Sequence, residues 1–457
     1  EAAQSCSVIL DIVESSVPDG LPVKLGADCK LQEVMNKAVE LLPELWKYAN
    51  SPHDAILSYR RALLHKFNLD AKTTAKIQKD FAIFLLYSEA ELISPNLRSQ
   101  PENAFVPKNN LEEAILLMMI LLRKAALRKI KWDPSILDHL SYALSISGGL
   151  RALSSQVDEL LPGTIDENEA YQTLALCYHG DGDDSNSFAS WQKMLRTREG
   201  AKNLQALLFS AKICGKSSKF ADDYGIKYAQ RAIENLTDGC GCDQSISTAY
   251  LLLGISYSAI SRRTALTDSQ RDGLQSETLK CMELSVDMTK SKDPIVIYHL
   301  CLEYAEQRKL DAALHYSQIL VELEGGFNIR GCILMARILS AQRRYLDAEA
   351  VVNEALDQAG IWDQGAVLRT KAKIQFAMGS HKEALKTYSH LAGIVQVHRR
   401  NFRSSEKHKD RKKVIDGLEL DMWHDLALVY MKLGKWRDSE SCISKLEAIV
   451  SSSSPSK

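Results

Sequence analysis

Met422-Trp423-His424-Asp425-Leu426-Ala427-Leu428-Val429-Tyr430 decides the fold. Trp423, Leu426, Ala427 and Tyr430 stand at offsets of zero, three, four and seven, so all four share one face of an α-helix. The small residue at the fourth offset lets a partner helix approach closely. A turn follows at Gly434, an aromatic at Trp436, and then a second helix whose inner face carries Ser439, Ile443 and Leu446. The unit is a helical hairpin.

The same first-helix pattern recurs as Tyr171/Leu174/Ala175/Tyr178, Tyr250/Leu253/Gly254/Tyr257, Ile297/Leu300/Cys301/Tyr304 and Cys332/Met335/Ala336/Leu339. The second-helix pattern recurs as Ala55/Tyr59/Ala62, Ala348/Val352/Ala355 and Ala384/Tyr388/Leu391. First helices at Ile297, Cys332 and Leu368 start 35 and 36 residues apart. These residues and this spacing resemble the tetratricopeptide (TPR) repeat, whose period is about 34. The expected fold is an all-α TPR helical-hairpin solenoid, an α-α superhelix. One hairpin cannot bury both its faces alone, so stacked neighbours complete the core and leave a concave groove lined by first helices.

Composition agrees. The 457 residues carry a formal net charge of −1, against nucleic acid as the main partner, since nucleic-acid-binding domains are usually basic. The ten cysteines form no disulfide framework. Most lie in apolar helical stretches, as Cys177 and Cys301 do, the usage of reduced buried thiols. Cys240 and Cys242 lack a second ligand pair at zinc spacing and read as part of a turn. The longest apolar run, Ala114 to Leu122, is too short for a bilayer, which needs about 20 residues. The chain opens at Glu1 and ends without a polar capping helix, so a piece of a longer array is expected.

Departures from the period divide the chain. Residues 1–30 read as an irregular segment and 31–165 as divergent hairpins, with a proline-bearing loop near 92–110. Residues 166–392 read as the main array, 393–418 as a basic insert, 419–448 as a further hairpin and 449–457 as a disordered tail. The polar stretch Arg262–Gly273 lengthens another hairpin.

Signs of catalysis are wanting. No P-loop, Gly-x-Ser-x-Gly or His-Glu-x-x-His occurs, and no cofactor or metal is expected. Asp181-Gly182-Asp183-Asp184-Ser185-Asn186 begins like a calcium loop but has Asn186 at the sixth position and Gln192 at the twelfth, so it reads as a hairpin turn. A clamp for chaperone tails needs Asn directly after the small first-helix residue. Those positions hold Leu176, Ile255, Leu302, Arg337, Lys373 and Leu428.

Two basic stretches are candidate sites. Leu111–Trp132 joins an apolar run, with Leu117 and Leu121, to Arg123, Lys124, Arg128, Lys129 and Lys131, and ends in Trp132. A basic amphipathic helix with bulky anchors suits calmodulin; the competing reading is a second helix packed on its neighbours. The other stretch holds Arg399, Arg400, Arg403, Lys407, Lys409, Arg411, Lys412 and Lys413. It reads either as a contact for an acidic partner or anionic lipid, or as a solvated loop.

Segments outside the repeat narrow the resemblance. Ser51-Pro52-His53-Asp54-Ala55-Ile56-Leu57-Ser58-Tyr59-Arg60-Arg61-Ala62, Phe105-Val106-Pro107-Lys108-Asn109-Asn110-Leu111 and Leu161-Pro162-Gly163 are similar to the TPR-seven family, and within it to the plant "no pollen germination" proteins. That resemblance implies a non-catalytic scaffold of a plasma-membrane phosphatidylinositol 4-kinase complex, beside a hyccin-like subunit and a membrane-anchoring subunit. It implies calmodulin binding, a role in pollen germination, and a cytoplasmic protein held peripherally at the plasma membrane through its partners. The repeats alone suit a generic TPR adaptor in trafficking or a ubiquitin-ligase complex equally well.

Overall fold

A computed structural model describes residues 1–16, 30–65, 67, 69–88, 107–159, 163, 165–216, 224–238, 242–262, 267–326, 328–401 and 409–453. Every regular element among them is helical, and the chain divides into two compact units, residues 1–190 and 191–457.

In the first unit the helices are α1 (Ala2–Ser16), α2 (Lys30–Tyr48), α3 (Pro52–Leu64), α4 (Ala71–Tyr87), α5 (Asn110–Ala126), α6 (Ser135–Ser147), α7 (Leu150–Asp158), α8 (Glu167–Gly180) and the start of α9 (Asp184–Arg196). Local chemistry sets their ends. Pro52 opens α3, Asn109 accepts from the Glu112 amide at 2.7 Å to cap α5, and Asp166 caps α8. One continuous core holds Tyr59, Phe81, Met118, Leu121, Leu140 and Leu174.

The second unit continues with α10 (Leu204–Lys216), α11 (Tyr224–Asp238), α12 (Asp243–Ser261), α13 (Asp268–Met288), α14 (Pro294–Glu306), α15 (Leu310–Leu323), α16 (Ile329–Ala341), α17 (Tyr345–Gln358), α18 (Gln364–Ala377), α19 (His381–Asn401), α20 (Lys409–Lys432) and α21 (Trp436–Ser453). Each even-numbered helix from α10 pairs with the next, and also touches the even-numbered helix two places on. That is a stack of hairpins with first helices side by side. The small residues sit where the helices cross. Ala336 and Ala348 are fully buried, as are Ala372 and Ala384. At Gly254 a Cβ atom would stand 2.8 Å from Met282 Cγ, so only glycine lets α13 this close.

In five hairpins the turn sits seven residues after the small first-helix residue and has positive φ: Gly182, Arg308, Arg343, Gly379 and Gly434. The next amide reaches back to the helix, as Lys309 N does to the Tyr304 carbonyl at 2.9 Å and Lys435 N to Tyr430 at 2.9 Å. This is the left-handed C-terminal cap that glycine favours.

The expected boundaries shift in three places. Residues 2–16 are helical, not irregular, because Ala3, Cys6, Leu10 and Val13 hold one helix face against the core. Within the stretch 262–273, Thr267 and Gln270 form a capping box and α13 starts at Asp268, while residues 263–266 lie outside the described residues. The basic insert is shortened from both sides. Leu391, Val395 and His398 extend the buried face of α19, and Ile415, Leu418 and Met422 extend that of α20. The tail is helical through Ser453, where residues 449–457 read as disordered.

Candidate functional site

A concavity of the second unit lies between three first helices, α10, α12 and α14, and encloses about 600 Å³. From α12, Thr248, Leu251, Leu252, Ile255, Ser258 and Ala259 line it, with Arg262 just beyond the helix. These recur every three to four residues, so one face of the helix looks into the groove. Leu208, Lys212 and Lys216 of α10 flank one side; Ile295, His299, Leu302 and Glu303 of α14 flank the other. Gly215 permits the approach: a Cβ there would meet Ile255 Cγ2 at 2.8 Å.

The floor is apolar and its polar groups are satisfied at one end. Glu303 is buried and accepts from Ser258 Oγ at 2.7 Å and Gln307 Nε2 at 2.9 Å. Arg262 donates to Ser258 Oγ at 2.9 Å and pairs with Glu306 at 2.8 Å. Burial lowers the His299 pKa, so the imidazole stays neutral at pH 7 and adds no charge to the floor. A second concavity of about 590 Å³ lies between α16, α18 and α20. There Arg369 reaches Asp425 at 2.7 Å and Lys373 reaches the same carboxylate at 3.3 Å.

These surfaces offer an apolar floor with charged rims, which suits a bound peptide or helix. Among the described residues no group of His, Cys, Asp and Glu gathers as a metal site would, and no helix is long and apolar enough to cross a membrane. The turn at 181–186 works as a cap: Asp183 accepts from the backbone and the side chain of Asn186 at 3.1 and 2.8 Å.

The stretch Leu111–Trp132 is divided by the fold. Leu117 and Leu121 are in the core, 7% and 1% exposed. Lys124 donates to Gln78 at 2.8 Å, and burial lowers its pKa. The helix ends at Ala126, Arg128 turns the chain at φ 54°, and Trp132 Nε1 donates to Glu169 at 3.0 Å. Arg123, Arg128, Lys129 and Lys131 are exposed. In the other stretch Arg399 pairs with Glu419 at 3.0 Å, and Arg400 is exposed. Arg403 and Lys407 lie outside the described residues. Lys409, Arg411, Lys412 and Lys413 are in α20, and their side chains lie outside the described residues.

The chain is 49% identical over 455 residues to protein NPGR2 of Arabidopsis thaliana, covering 99% of this chain and 60% of that protein. It is 40% identical over 450 residues to Arabidopsis NPG1, covering 97% of this chain and 62% of that protein. It is a homologue of the Arabidopsis no-pollen-germination proteins. The chain spans about three fifths of the length of these plant homologues. Mouse tetratricopeptide repeat protein 7B is 25% identical over 308 residues, covering 64% of this chain and 35% of that protein. No family model matches the chain. Among solved structures, a thermophilic TPR protein of Thermus thermophilus is 16% identical and covers 46% of this chain, and the match takes in 98% of that chain at a TM-score of 0.37. A tetratricopeptide repeat protein from Parabacteroides merdae is 12% identical, covers 62% of this chain and 93% of that one, and has a TM-score of 0.43. The stacked helical hairpins of the chain are those of a TPR-type solenoid.

The sequence pattern marks only part of the groove lining. Ile255 and Leu302, directly after the small residues Gly254 and Cys301, are positions the repeat offset points to, and both line the groove. Leu208, Lys212, Ile295 and His299 have no motif. For α10 a signal existed in Ala211, which is fully buried against the next helix, but the chain between α10 and α11 breaks the regular spacing.

Proposed function

We propose that this chain is a non-catalytic scaffold subunit of a plasma-membrane phosphatidylinositol 4-kinase complex, bound by calmodulin and acting in pollen germination and growth. It stands beside a hyccin-like subunit and a membrane-anchoring subunit, cytoplasmic and peripheral to the membrane. The observation that carries this reading is 49% identity with NPGR2 across almost the whole chain, joined to the lower similarity with tetratricopeptide repeat protein 7B. The structure supports the scaffold part: a stack of hairpins whose first helices leave apolar grooves with charged rims, as a protein-binding surface needs. Affinity purification of the full-length protein from pollen, read by mass spectrometry, tests it. Recovery of a phosphatidylinositol 4-kinase with a hyccin-like protein is expected. Their absence, with trafficking or ubiquitin-ligase components in their place, would favour the generic adaptor.

A further inference from the structure

The groove between α10, α12 and α14 is graded along its length. It follows α12 from Thr248 to Arg262, about 21 Å at about 1.5 Å per residue. Toward the start of α12 the walls are apolar, with Leu208, Leu251 and Ile295, the last 63% exposed although it is a large aliphatic side chain. Toward the end of α12 come three cations, Lys212, Lys216 and Arg262. The one carboxylate among the lining residues, Glu303, already accepts two hydrogen bonds from within the chain. Arg262 is neutralised in part by Glu306 beside it, and Lys212 and Lys216 stand exposed on the facing helix α10. The volume, about 600 Å³, is within the range of about 300–1,000 Å³ typical of sites that bury a ligand.

We infer that this groove binds an acidic segment of a partner protein, one that sets at least two large apolar side chains against Ile295, Leu208 and Ile255 and follows them with aspartate or glutamate beside Lys212 and Lys216. The charge gradient gives the segment a direction: apolar residues toward the start of α12, carboxylates toward its end. A basic segment meets like charge at that rim, which is how the groove rejects it. This inference rests on the reading of the chain as a protein-binding scaffold and adds the chemistry of one partner.

Selection of displayed random twelve-residue peptides on the full chain tests it, with two surface variants as controls. Ile295→Asp spoils the apolar wall, and the double change Lys212→Glu, Lys216→Glu reverses the rim. All three side chains are exposed, so thermal melting by circular dichroism should match the parent. Enriched peptides are expected to carry large apolar residues followed by Asp or Glu. A representative synthetic peptide should lose at least tenfold in affinity on either variant, and selection on the charge-reversed variant should yield Lys or Arg in place of the acids. Peptides that depend on Ile295 but show basic residues or no charge preference would overturn the acidic chemistry and leave groove binding standing. No enrichment, or binding indifferent to both variants, would overturn the groove as a docking site, a result separate from whether the kinase complex is recovered.

Discussion

The hydroxyl of Ser187 donates to the carbonyl oxygen of Ala175, twelve residues earlier, at 2.8 Å, and fastens the second helix of a hairpin to the first where both are narrowest. The relation repeats at the same spacing. Ser439 donates to the Ala427 carbonyl at 3.2 Å, and in the opposite direction Cys301 of a first helix donates through sulfur to the Ala313 carbonyl of the second at 3.2 Å. Where both residues are alanine, as at 372 and 384, no hydroxyl is needed and backbone proximity alone remains. Ala372→Leu should therefore cost about 1–3 kcal/mol, the usual penalty for overfilling a closed crossing. Denaturant unfolding checks it; an unchanged midpoint would mean the crossing is not close-packed.

The turns test a different force. Arg308 and Arg343 take φ of 62° and 64°, at the position where Gly182, Gly379 and Gly434 stand in other hairpins. A left-handed residue with a Cβ costs about 1–2 kcal/mol, and glycine returns part of that gain as unfolded-chain entropy. Arg308→Gly and Arg343→Gly are each expected to stabilise the protein by about 0.5–1 kcal/mol, read as a raised melting temperature. Both side chains are exposed, so loss of packing should not confuse the result.

Those turns also show what the sequence could reveal. The repeat was legible because a period of about 34 with four fixed offsets is a long-range signal. Hairpins from Tyr171 onward follow from it, and the small residues Ala175, Gly254, Cys301, Ala336, Ala372 and Ala427 are all buried at their crossings. Helix ends were less legible. Helix α13 starts at Asp268, inside a polar run, because a capping box at Thr267 supplies its first hydrogen bonds, a local signal outweighed by composition. The groove was legible only at the offset after each small residue. Its other walls depend on which helices stack side by side, and no residue pattern states that.

In the first unit Arg60 and Glu113 form a buried two-point pair between α3 and α5, at 2.6 and 3.1 Å. Their side chains are 9% and 12% exposed. Removing one partner leaves an uncompensated buried charge, so Glu113→Ala should cost about 3–5 kcal/mol. Replacing both, Arg60→Met with Glu113→Leu, should cost far less or stabilise. A double-mutant cycle in denaturant checks this; equal losses in the single and double variants would show that packing dominates, with little role for charge.

The thiols carry a pH prediction. Burial pushes Cys177, Cys214 and Cys301 up to about 12 from an ordinary 9.0. In the fold they stay protonated through pH 9, while in the unfolded chain they ionise from that pH upward. Below pH 9 both states hold the proton and these groups add no pH dependence; above it stability falls as pH rises toward 12. At about pH 8, below the ordinary thiol range, a thiol-alkylating reagent should label exposed Cys242 first, and these three only after unfolding. Peptide mapping by mass spectrometry reads the order, and early labelling of Cys301 would contradict its burial.

Calmodulin binding can be separated from display of its site. In a free peptide spanning residues 111–132, Leu117, Leu121 and Trp132 are available together with the five cations between 123 and 131. In the folded chain both leucines belong to the core, and Trp132 is tied to Glu169. Releasing each leucine costs about 1.5–3 kcal/mol, and about 1.4 kcal/mol is tenfold in affinity. With calcium present, the peptide is expected to bind calmodulin at least tenfold more tightly than the folded chain does, and mild denaturant should narrow the gap by raising the open population. Isothermal titration measures both. Equal affinity would place the contact on the exposed cations Arg123, Arg128, Lys129 and Lys131, and a peptide that does not bind would remove this segment as the calmodulin site.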